Sequence, residues 1–212
     1  FATAFSFLKA IKPFIRIGYK ELTQDKSAFN SAMSYTLKRA VTGSGKEIKI
    51  DFDRALVSMG TLMPIFEGAA TVSNHQMTFN WKDNSGMGNA ERTDIVMVLV
   101  YNKDREAAVY DTEAALRSDC HAGLQLPEDW QDDELVAYLS FCSTDGNCVA
   151  NSICLPISVI EMPEEEIDVQ TESIDTTHKR ILPDKRKVHQ SRITVHSLST
   201  PPNEIQTYRC ET

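Results

Sequence analysis

Apolar positions along this chain repeat first with a helical period and then with a strand period. Phe1, Ala4, Phe5, Leu8, Ile11 and Ile15 recur at three-to-four spacing, the mark of an amphipathic helix. Pro13 lacks an amide donor and clashes with the preceding turn, so a break is predicted there, with a second piece running from Pro13 to about Leu22. A third helix is predicted from Asp25 or Ser27 through "DKSAFNSAMSYTLKRAV". Its stripe is Phe29, Met33, Leu37 and Val41, with Ala32, Thr36 and Ala40 beside it. "TGSG" (42–45) ends it, because glycine relieves the left-handed backbone that helix ends favour.

From Glu47 the period becomes two. Strands are predicted in "EIKIDF" (47–52), "ALVSMG" (55–60), "ATVS" (70–73) and "QMTFNW" (76–81), followed by the loop "KDNSGMGNAERT". "DIVMVLVYN" (94–102) is the most apolar segment and reads as a central strand. "EAAVYDT" (106–112), "ALRSDCHAGLQL" (115–126) and a final hairpin over 135–155, turning at Asp145-Gly146, complete the set. About seven short strands with turn signals between them predict a β-sandwich. Trp81 ends an alternating strand two residues after Phe79. It reads as a plug between the sheets, with a surface ligand platform as the alternative. The strand order resembles immunoglobulin-like or fibronectin III-like modules. The organisation is thus mainly β with N-terminal helices: a helical segment (1–46), a sandwich (47–156) and a charged, strand-patterned extension (157–212).

That extension changes the picture. Residues 161–175 carry seven acids and no base, and residues 178–192 carry six Lys/Arg and one acid. Ile167 with Val169, and Ile193 with Val195, alternate like strand residues. So few large apolar groups cannot build a separate core. Two readings stand: a flexible tail ordering partly on the sandwich, or a β arm that adds strands to its own sheet or a neighbour's sheet edge.

The overall charge is −8, unevenly spread: +6 over residues 1–46, −11 over 47–156 and −3 over 157–212. A basic front beside an acidic middle lets surfaces attract within one molecule or between neighbours. Nucleic-acid binding is excluded by the acidic bulk and the lack of a recognition motif. "IVMVLVY" is too short to span a bilayer as a helix, so no transmembrane segment is expected. The start at Phe1 reads as a processed or trimmed piece.

Candidate chemistry is sparse. "TGSGKE" has the look of a phosphate loop, but Ala40 stands where its first glycine belongs and Glu47 where a Ser/Thr belongs. "DNSGMGN" lacks the ligand spacing of a calcium loop. "EMPEEEID" reads as a solvated charge run. The five histidines stand in no catalytic motif context, so no catalytic residue, cofactor or metal ligand is nominated and an enzyme is not expected. Of five cysteines, none has C-x-x-C spacing. They read as structural thiols, or in an oxidising compartment Cys142 pairs with Cys148 or with Cys154. Trp130 in "PEDWQDD" is read as an exposed ring suited to stacking on sugar, with Asn84 and Asn89 on companion loops. The alternative is a tryptophan folded over the sandwich end. "DTT" (175–177) matches a short O-glycosylation pattern at Thr176.

Several stretches together resemble an uncharacterised family of Bacteroidota proteins known only as a domain of unknown function. They are "KPFIRIGYK" (12–20), "FNSAMSYTLKRAVTG" (29–43), "ALVSMG" (55–60), "FNWKDNSGMGNA" (79–90), "VYNKDREAAVY" (100–110) and "STDGNCVANSICL" (143–155). The resemblance covers residues 1–156 and implies helices followed by an Ig-like sandwich, with no reaction and no catalytic residue. The expectation is a non-enzymatic structural or interaction protein, extracellular or at the cell surface. It would self-assemble with other copies as a filament-like subunit, through tail or helices. The alternative is a module binding a glycan or a surface protein.

Overall fold

Pro13 does divide the front of the chain. In the computed structural model, which describes residues 1–159, α1 (Ala2–Ala10) stops at Ile11 and α2 (Lys12–Gly18) restarts with Pro13 in its first turn, where a missing N–H costs no helical bond. The expected arm over 157–212, apart from its first three residues, and Thr176 lie outside the described residues. α3 (Ala28–Arg39) begins at Ser27, whose hydroxyl accepts the Asn30 N–H at 3.2 Å. The buried face of α3 is Ala28, Ala32, Met33, Thr36 and then Ala40, while Leu37 is exposed. That corrects the expected stripe. α3 lies against both α1 and α2, and short side chains let helices approach closely. Likewise Phe7 and Phe14 are fully buried, whereas Phe1 and Phe5 are exposed.

The strands are β1 (Val41–Thr42), β2 (Lys49–Ile50), β3 (Gly68–Ser73), β4 (Gln76–Trp81), β5 (Ile95–Asn102), β6 (Ala107–Leu116), β7 (His121–Gln125), β8 (Leu135–Cys142), β9 (Ile153–Leu155) and β10 (Ile157–Val159). β1 and β2 form a small ribbon. The others make two four-stranded sheets, ordered β10-β3-β4-β7 and β6-β5-β8-β9. The chain visits them as two strands, two strands, one, two, and a return. The two sheet faces stack as the sandwich expected. Every pairing between these strands is antiparallel except β10 with β3, and an isolated parallel bridge joins Leu62 to Ala150.

β5 and β8 explain the most apolar run. Val96, Val98 and Val100, with Ala137, Leu139 and Phe141, join the cluster between the sheets. Met97, Leu99 and Tyr101, with Val136 and Tyr138, face the helices instead. A strand covered on both faces needs no polar alternation. β4 keeps its alternation because only Met77, Phe79 and Trp81 turn inward. "ALVSMG" is buried in part but forms no strand. Its backbone is held piecemeal: the Val57 N–H donates to Ser152 Oγ at 2.9 Å and the Met59 N–H to the Gly18 carbonyl at 2.7 Å. Its period of two reflects burial between layers rather than a ladder. "EIKIDF" likewise yields only Lys49–Ile50.

Candidate functional site

At the end of the sandwich where β5 begins, the chain turns through Arg117 between β6 and β7. Arg117 is fully buried. Its Nε donates to Asp94 Oδ2 at 3.0 Å, Nη1 to Asn84 Oδ1 at 2.7 Å and Nη2 to the Met63 carbonyl at 2.8 Å. The guanidinium stacks 3.7 Å from the Phe141 ring centroid. Burial pulls its pKa down, and Asp94 pulls it back. Trp81 closes the same cluster. Its indole N–H donates to the Arg117 carbonyl at 2.8 Å and its ring meets Phe141 edge-on at 6.1 Å. Trp81 is thus the core plug.

Asn84, expected on a ligand-facing loop, is spent inside this network, and its Nδ2 donates to the Pro64 carbonyl at 2.8 Å. Asn89 is exposed, yet both ends of its amide pin the loop over Thr61–Met63. Neither stands beside Trp130, which belongs to the far part of the fold. Trp130 is only 5% exposed and packs into the inter-sheet cluster, so its expected exposure is corrected. Arg105 holds that loop down through Asp129 Oδ2 at 2.7 Å and Asp133 Oδ2 at 2.5 Å. What Trp130 still borders is a cleft of about 470 Å3 between the β3–β4 turn, its own loop and β10.

The four cysteines among the described residues are not brought together. Cys120, Cys142, Cys148 and Cys154 are unbonded thiols. Cys154 sits opposite Tyr138, four residues along β8 from Cys142. That is a separation of about 13 Å, beyond the ~7 Å a disulfide spans. Cys142 packs toward the helices and Cys148 toward the inter-sheet core.

A larger cleft, about 900 Å3, opens where β5 ends and β8 starts. Phe52 and Tyr101 provide an aromatic wall, with ring centroids 5.6 Å apart, and Lys103 Nζ lies 5.1 Å over Phe52. Asp51, Asp53 and Glu134 rim it, and Lys103 pairs with Glu134. Burial first, then Asp53, pushes the Cys154 thiol up to about 12. Burial, then Glu106, pushes Tyr101 up to about 12. The sequence reading missed this cleft because Asp51–Asp53 looked like a strand end and Tyr101 like core. The one local signal was an aromatic flanked by two aspartates. Such a wall stacks on apolar or sugar faces, and the carboxylates accept hydrogen bonds or cations. Among the described residues no group of three or more His, Cys, Asp or Glu could hold a metal ion. No helix there is long and apolar enough to cross a membrane.

Fold and clefts together define a helix-covered β-sandwich. The chain belongs to a family of unknown function, DUF6266, whose model matches residues 1–156. No curated protein matches the chain.

Proposed function

We propose that this protein is a non-enzymatic structural or interaction subunit, extracellular or at the cell surface. It assembles with copies of itself into a filament-like array. The observation that supports this most is β10. Just past the family-matched span, the chain continues as an edge strand parallel to β3, which is the mode by which segments augment sheets. Charge adds to it, since a basic helical layer covers an acidic sandwich. The test is electron microscopy with light scattering on the intact chain and on a truncation after Val159. Assemblies from the intact chain alone are expected; monomers in both cases would sink the reading.

The second reading, a glycan- or protein-binding module, draws on the aromatic wall of the 900 Å3 cleft. Glycan-array binding abolished by Phe52→Ala would favour it over assembly.

A further inference from the structure

The helical layer carries a third cleft, of about 620 Å3, between α3 and the turn that follows α2. Leu22, Tyr35 and Met59 supply its apolar part, and Lys26, Lys38 and Arg39 its charge. Glu21, which also borders it, is already committed. Its carboxylate accepts the Thr61 N–H at 3.2 Å, the Thr61 hydroxyl at 2.9 Å and the Val149 N–H at 2.6 Å. Asp25 is the remaining carboxylate of the rim. Lys26, Lys38 and Arg39 are exposed and make no ion pair among the described residues. Lys38 and Arg39 complement the C-terminal end of the α3 dipole, but that role does not require a third cation across a concave surface.

We propose that this cleft receives the acidic segment Glu161–Asp168 of a second copy, which rests on the self-assembly reading above and names its contact. The segment "EMPEEEID" brings five carboxylates interleaved with Met162, Pro163 and Ile167, matching three cations around an apolar floor. The commitment to a neighbouring copy follows from the self-assembly reading, and docking within a single copy is the competing outcome that mixing the two variants separates from it. A cleft on one copy filled by a segment of the next is a heterologous contact, which repeats head to tail.

The test uses the full chain in four forms: unaltered, K26E/K38E/R39E, E164K/E165K/E166K, and all six substitutions together, each studied by sedimentation velocity alone, with the two triple variants also studied as a mixture. Circular dichroism melting like that of the unaltered chain certifies folding, which surface substitutions preserve. Each variant alone is expected to associate roughly a hundredfold more weakly. Their mixture is expected to recover assembly, because each supplies the charge the other lost. Variants that assemble like the unaltered chain overturn this contact while leaving self-assembly standing. Recovery only when all six substitutions share one chain places the contact within a single copy and overturns it too. A monomeric unaltered chain overturns both readings.

Discussion

Arg117 carries a full charge where no water reaches it, so each of its neighbours acts in place of solvent. Asp94→Ala leaves that charge unmatched, and urea denaturation is expected to show a loss of about 3–5 kcal/mol. Adding Arg117→Met is expected to recover most of that loss, giving a large coupling in the double-mutant cycle. A second residue-scale effect concerns pH. The native state keeps protons on Cys154 and Tyr101 that the unfolded chain releases from their ordinary values of 9.0 and 10.0. Their contribution is therefore complete below about pH 9 and is lost as pH rises toward 12. Melting temperature is expected to fall across that window, and Cys154→Ser to flatten its early part. Trp81 was legible as core because its neighbours alternate. Arg117 was not, because its burial depends on Asp94, 23 positions away, and an arginine between two strands reads as surface by default.

Among the elements, the connection between helices and sandwich depends on a few short contacts. Glu21 holds two backbone amides from different segments, Thr61 and Val149. Gly18 leaves no room for a side chain, since an added Cβ would stand 2.9 Å from Ser58 Cα. Glu21→Ala strands both amides and is expected to cost about 2 kcal/mol. Ser27→Ala, which removes only a helix cap, is expected to cost about 1 kcal/mol. Chemical denaturation ranks the two, and limited proteolysis of the front should follow the same order. The break at Pro13 and the continuous burial of β5 were legible because each follows from local chemistry. The inner face of α3 was not, because contact with two other helices outweighed the larger side chains of its neighbouring stripe. The irregular 55–60 segment misled for the same reason, since its partners come from Gly18, Ala150 and Ser152.

For the molecule as a whole, the layers separate charge: cations sit on the helices and carboxylates dominate the sandwich. If assembly runs through those charges, it should weaken steadily between about 0.15 M and 1 M salt, as the screening length shrinks from about 8 Å to about 3 Å. Light scattering across a salt series checks this, and salt-independent assembly would point to sheet edges instead. β6 is the longest edge strand of its sheet, but register shifts opposite Val96–Val98 interrupt its regular pairing, and bulges of that kind blunt edge-to-edge association. β10 has a mechanical consequence. Its three residues run alongside β3 in the same direction, so tension applied to the chain beyond Val159 along that axis loads all of their bonds at once, in shear. A pull across the axis would peel them one at a time. A subunit linked to its neighbour through this end of the chain would therefore resist stretching along the strand far better than being pried sideways.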